Sequence, residues 1–303
     1  MRRAGATPTV LALLFVLPLA AGLAVVLAAC GEEPGDSPAP AVTETVTVTA
    51  SPTVTPTVDT GPATPMTVSL YFLRGEALGV AHRTVAGSTM PATAAVNSLL
   101  GGPDKREKAA GLDTTIPEGT TLNGVTIEDG TARVDLSDEY ASGGGTLSMQ
   151  ARIAQVVYTL TQFRTVKRVE FLVDGEPVEA LGGEGIVIDE PQRRAHWKGL
   201  LPAIFVETPA VGDRVSSPVT VKGTAMVFEA TFQAEVLGPD GDVLASATVT
   251  ATRGAPGRGT FGVEIAFDTP SPLRGALRVY EVSMEDGSRM NTVKIPLRFL
   301  VSD

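Results

Sequence analysis

The chain has 303 residues and a formal net charge of −10, with 24 Lys and Arg against 34 Asp and Glu. Two His and one Cys exclude a zinc set of the Cys/His type and any disulfide within the chain. The acidic balance argues against nucleic acid as a partner, because phosphate backbones are bound by clustered cations. The length accommodates two domains, each large enough to bury its own core.

The chain opens with Arg2 and Arg3, then an apolar run from Val10 to Ala29 broken only by Pro18 and Gly22. This is the pattern of an export signal. It ends in Leu27-Ala28-Ala29-Cys30-Gly31, small residues before a lone cysteine, and resembles the bacterial lipobox. That resemblance implies cleavage after residue 29 and lipid attachment at Cys30, the anchor to the outer face of the cytoplasmic membrane. The alternative is a retained signal anchor, since the run is about as long as a bilayer requires. Residues 30–65 read as a tether: Ser37 to Pro65 holds 6 Pro and 9 Thr with no Lys or Arg. Such a stretch cannot bury enough apolar area to offset its ordering entropy.

Residues 66–190 form the first expected domain. Val68 to Leu73 has strand chemistry. Thr89 and Pro91 suit the start of a helix with Ala92, Ala95, Val96 and Leu99 on one face, ended by Gly101-Gly102-Pro103. Leu122 to Leu136 reads as a hairpin about Asp129-Gly130, because Asp-Gly supplies the positive φ values of a tight turn. Leu147 to Gln162 is a predicted helix. Met149, Ile153, Val156, Val157 and Leu160 line one face, and Ser148, Arg152, Gln155, Thr159 and Gln162 lie on polar flanks. Val169 to Val173, closed by Asp174-Gly175, completes a β-α-β-β-α-β order of the α+β class.

Candidate chemistry in this domain is sparse. Gly143-Gly144-Gly145 precedes a helix but lacks the P-loop lysine and the dinucleotide-binding glycine spacing, so it reads as a flexible helix entry. Asp135, Asp138 and Glu139 are close in sequence, and Asp135 with Glu139 is the pair a cell-wall hydrolase would use. Solvated surface is the plainer reading. His82 has no acid or thiol pattern around it, and Tyr158 is expected to pack beside the helix core. No cofactor and no metal are expected.

Residues 191–202 (PQRRAHWKGLLP) form the expected hinge. Arg193, Arg194 and Lys198 cluster there around His196 and Trp197. They constitute either a contact patch of Arg193, Arg194, Trp197 and Lys198 for an acidic glycan or lipid headgroup, or a linker whose Trp docks on a neighbouring domain. Residues 203–303 turn all-β: seven short runs separated by turns such as Pro239-Asp240-Gly241 and Asp286-Gly287 suit an immunoglobulin-like sandwich. Its core is expected to include Phe228, Phe232, Val249, Phe261, Phe267, Val279 and Phe299, and Glu281 reads as an edge charge against aggregation.

Several strings occur together and in order in the first domain. They are Thr115-Ile116-Pro117-Glu118-Gly119-Thr120, the hairpin Glu128 to Ser137, Gly143-Gly144-Gly145, Val157-Tyr158-Thr159-Leu160-Thr161 and Phe171-Leu172-Val173-Asp174-Gly175. Along Leu70 to Val178 the chain resembles the GerMN domain of sporulation and spore germination proteins. Val221-Lys222-Gly223-Thr224-Ala225, Val227-Phe228-Glu229-Ala230 and Tyr280-Glu281-Val282-Ser283 carry a second likeness. From Ile204 to Leu300 the chain resembles the immunoglobulin-like domain of bacterial spore germination, which commonly follows GerMN. The resemblance implies a non-enzymatic envelope role, with a membrane anchor and a protein or peptidoglycan partner. A hydrolase and a solute-binding lipoprotein are the alternatives.

Overall fold

The computed structural model describes residues 64–182, 185–270 and 272–301. The predicted export segment, Cys30 and nearly all of the tether lie outside the described residues. Strand β1 (Met66–Arg74) pairs over its full length with β2 (Ala77–Val85), Met66 facing Val85 and Arg74 facing Ala77. Sequence reading missed β2, whose His82 and Arg83 interrupt an apolar pattern. Both side chains find partners elsewhere in the fold. The Arg83 guanidinium binds the Glu107 carboxylate and donates to the carbonyls of Ser98 at 3.0 Å and Gly102 at 2.8 Å. It thereby places a cation at the C-terminal end of the first helix, where the backbone dipole favours one.

That helix, α1 (Pro91–Leu100), buries the four predicted residues. Its N-cap is Met90 rather than Thr89. A short α2 (Lys105–Ala109) is closed by a reciprocal capping box of Asp104 and Glu107. Strand β3 (Leu112–Asp113) then joins β1, giving a sheet of order β2-β1-β3.

The Asp-Gly hairpin forms as predicted between β4 (Leu122–Glu128) and β5 (Thr131–Leu136), with φ of 48° at Asp129 and 77° at Gly130. Helix α3 (Thr146–Leu160) crosses over to β6 (Arg168–Val173), which runs parallel to β5. Strand β7 (Glu176–Pro177) completes a second sheet, β4-β5-β6-β7, and β8 (Ala180–Leu181) pairs with β9 (Ile186–Val187). The α+β class and the order of the main elements stand. The strands, however, divide among three sheets, the third being the short β8-β9 pair, instead of filling one.

The sandwich follows: β10 (Ile204–Thr208), β11 (Arg214–Val215), β12 (Val219–Ala225), β13 (Thr231–Leu237), β14 (Val243–Thr250), β15 (Gly259–Ile265), β16 (Arg274–Val282) and β17 (Arg289–Phe299). The two sheets have the orders β10-β12-β15 and β11-β17-β16-β13-β14. Phe232 of β13 meets Phe261 of β15 edge to face at 4.8 Å, an aromatic contact between the two sheets, and Phe267 lies 4.9 Å from Phe299.

Two expectations for this domain are corrected. Phe228 is 60% exposed, in a 3-10 turn where Glu229 and Ala230 both adopt positive φ. Glu281 is no edge charge: β16 lies between β13 and β17, and Glu281 is 8% exposed. Its carboxylate accepts the Phe228 N–H at 2.8 Å and the Asn291 amide at 2.7 Å. It ties the turn to the sheet instead of repelling neighbours.

Candidate functional site

Helix α3 organises the first domain through polar residues that the sequence had placed at its surface. Arg152 (2% exposed), Gln155 and Thr159 are buried, because β1, α1 and the surrounding loops cover the helix on several sides. Each finds a backbone partner. Arg152 donates to the carbonyls of Thr115 at 3.1 Å, Ser142 at 3.0 Å and Gly143 at 3.3 Å, and also to that of Tyr140. Within the triglycine entry, Gly143 thus turns its carbonyl toward this cation. Gln155 holds Thr114 and Thr115. The Thr159 hydroxyl accepts the Tyr71 N–H at 3.3 Å, and the Gln162 amide both accepts from and donates to the Ser69 backbone at 2.8 Å. These two side chains satisfy the part of the β1 edge that the two-residue β3 leaves uncovered.

The same face of β1 and α3 meets the sandwich. Arg194, in a 3-10 helix spanning Arg194–Leu200, lies against two adjacent tyrosine rings, 5.1 Å from the centre of Tyr71 and 4.7 Å from that of Tyr158. It pairs with Glu207 of β10 at 2.9 Å and donates to the Thr161 hydroxyl at 2.9 Å and the Tyr158 carbonyl at 3.1 Å. The Tyr71 hydroxyl donates to the same Glu207 oxygen at 2.7 Å and accepts from Arg194 at 3.0 Å. Phe205 closes the cluster against both tyrosines.

One linker arginine therefore holds three elements. Burial pushes the Tyr158 phenol up to about 12 against the opposing pull of Arg194, and raises Tyr71 further still. Burial alone would lower the Arg194 guanidinium, but Tyr71 and Glu207 outweigh it and hold the pKa above its ordinary value.

Other contacts extend the junction. His82 Nδ1 lies 2.8 Å from Asp213, whose same oxygen accepts the Ala210 N–H. The Val211 N–H donates to the Val80 carbonyl at 3.2 Å. Arg258 of the sandwich donates to the Pro202 carbonyl at 2.8 Å. Two cavities open along this seam. One of about 450 Å³ lies between the β1–β2 turn, β10 and β17. The other, about 620 Å³, is bounded by Tyr158, Arg194 and Lys198 on one side and Arg253 and Arg258 on the other.

The predicted contact patch is taken apart by this geometry. Arg194 is consumed by the junction, and Trp197 is 8% exposed, its indole N–H without an acceptor among the described residues. Arg193 and Lys198 remain exposed, but they line different cavities. Asp135 and Glu139 are likewise separated in role: Asp135 accepts the Gly175 N–H at 3.0 Å, whereas Glu139 binds Ser137 on the surface. Among the described residues, no cluster of three or more His, Cys, Asp or Glu could hold a metal ion. The partners of Arg194 and His82 lie up to 131 residues away in the chain, and no local motif announces them.

The molecule is thus an α+β domain joined to an immunoglobulin-like sandwich through an arginine-centred seam. Residues 69–179 match the family model Germane, described as sporulation and spore germination, and residues 203–288 match Gmad2, the immunoglobulin-like domain of bacterial spore germination. The chain carries these two domains in that order, and neither description names a reaction.

Among solved structures it is similar to the first GerMN domain of the sporulation protein GerM from Bacillus subtilis. Identity is 25% and the TM-score 0.38, over 43% of this chain and 98% of that one. A Clostridium perfringens protein assigned as a lipoprotein is also similar, at 25% identity and a TM-score of 0.34, over 45% of this chain and 93% of that one. The tandem GerMN domains of the Bacillus subtilis protein align at 17% identity and a TM-score of 0.39, covering 69% and 63% of the two chains. No curated protein matches the chain.

Proposed function

We propose that this protein is a non-enzymatic lipoprotein of the bacterial cell envelope. Cys30 anchors it to the outer face of the cytoplasmic membrane, and its two domains act as one binding body for an envelope protein or for peptidoglycan. The observation that carries this reading is the pair of spore-germination-type domains, joined by the Arg194 seam. The sequence around Cys30 supports the anchor, since two or three acyl chains hold a protein stably where one is marginal.

Capture from crosslinked envelope fractions, with purified peptidoglycan tested alongside, checks the binding role. The expected result is a reproducible partner retained by the wild-type protein, and retention of nothing from either source overturns it. Cys30→Ser should move the protein from the membrane to the soluble extracytoplasmic fraction. Release of soluble fragments from cell wall by the purified protein, abolished by Asp135→Asn, would replace binding with hydrolysis.

A further inference from the structure

The cavity of about 620 Å³ along the seam runs against the composition of the chain. It is lined by four cations, Arg194, Lys198, Arg253 and Arg258, and by one carboxylate, Glu207, in a protein where acids outnumber bases. Glu207 is already engaged by Arg194 and Tyr71. Among the described residues, Lys198, Arg253 and Arg258 have no carboxylate within ion-pairing distance. Lys198 and Arg253 are exposed. Arg258 is held in place by the carbonyls of Pro202 and Thr224, so its ordering cost is met before any ligand arrives. Between the cations, the exposed Met226 and the half-buried Leu201 offer apolar surface, backed by the buried Tyr158 and Phe205.

We infer that this cleft is a binding site for an acidic peptide segment that also carries apolar side chains, contributed by a protein partner. The inference rests on the binding role proposed above and specifies where it operates. Charge complementarity selects an anionic ligand, and the three uncommitted cations come from both the linker and the sandwich. The apolar walls select against a purely hydrophilic polyanion, because a glycan would leave that surface without a complement. The size suits a few side chains, within the range of ordinary ligand pockets. The cleft needs the linker docked on the sandwich, since Lys198 comes from the one and Arg253 and Arg258 from the other.

The probe is a fluorescein-labelled peptide of mixed Asp, Glu and Leu, followed by anisotropy with the whole protein. Its comparators are polyglutamate, polyglucuronate and phosphatidylglycerol vesicles. The peptide should bind best, weaken with rising salt, and lose roughly tenfold or more in affinity on Lys198→Glu with Arg253→Glu. Both side chains are exposed and unpaired, so the double variant should keep the wild-type melting temperature. Equal affinity in the variant, or tighter binding of polyglucuronate or of vesicles, overturns the site. Crosslinked capture separates the two claims. Partners retained equally by wild type and double variant remove the cleft and leave the binding role standing, whereas no partner for either removes the role itself.

Discussion

Arg152 is buried and Arg194 half-buried, and both lie against tyrosine rings, yet different chemistry satisfies them. Arg152, inside the first domain, is 5.7 Å from the Tyr140 ring and donates only to backbone carbonyls. Arg194, at the seam, has a carboxylate, two hydroxyls and one backbone carbonyl, with two tyrosine rings beside it. A guanidinium met by carbonyls fixes the course of loops, here tying the backbone at Thr115 to that at 140–143. One met by a carboxylate on another element fixes how those elements sit together. The same residue type therefore serves tertiary detail in one place and domain docking in the other.

Substitution at each arginine can break this contrast. Arg152→Met should cost most, about 3–5 kcal/mol in urea denaturation, because it strands several buried carbonyls at once. A loss under about 1 kcal/mol would mean that water replaces the guanidinium freely. Arg194→Met should cost less, about 2–3 kcal/mol, since its ion pair is partly solvated and each ring contact contributes about 1 kcal/mol. Its signature should be qualitative: a single calorimetric transition that separates into two as the domains uncouple. A single, merely lowered transition would place the coupling elsewhere along the seam.

The smallest effect sharpens the comparison through pH. The Tyr158 phenol is held at about 12, above its ordinary value near 10, so the fold favours the neutral form. Its contribution is complete below pH 10 and disappears as pH rises through 12. Stability should therefore fall across that window, and Tyr158→Phe should remove roughly 2 kcal/mol of the fall at its alkaline end. An unchanged slope in Tyr158→Phe would assign the alkaline loss to Tyr71, which burial raises further.

Local chemistry was legible in the sequence and distant pairing was not. Asp129-Gly130 announced its hairpin because the backbone demand is met by those two residues alone. The apolar stripe of α3 was equally plain, and so were the runs that became the sandwich strands. The polar side of α3 misled, since Arg152, Gln155 and Thr159 look solvated until the loops that cover them are in place. Glu281 misled for the same reason: its position between two strands depends on sheet order, which periodicity does not encode. The linker cations were noticed as a cluster, but their division between the seam and the cleft needed Glu207, Arg253 and Arg258 from a different domain. Side chains whose partners lie across the fold carry no local signal, and the seam is composed almost entirely of them.

The hairpin that opens the folded region has a mechanical side. A pull applied through the residues preceding Met66 enters the molecule along β1, which is hydrogen-bonded to β2 over nine register positions. Directed along the strand, that load is shared by the whole ladder in shear, with Gln162 and Thr159 acting as cross-ties on the opposite edge. From Tyr71 it passes through Arg194 to Glu207 and into the sandwich. A molecule held at one end would thus transmit tension to its far domain without first unravelling at its point of attachment.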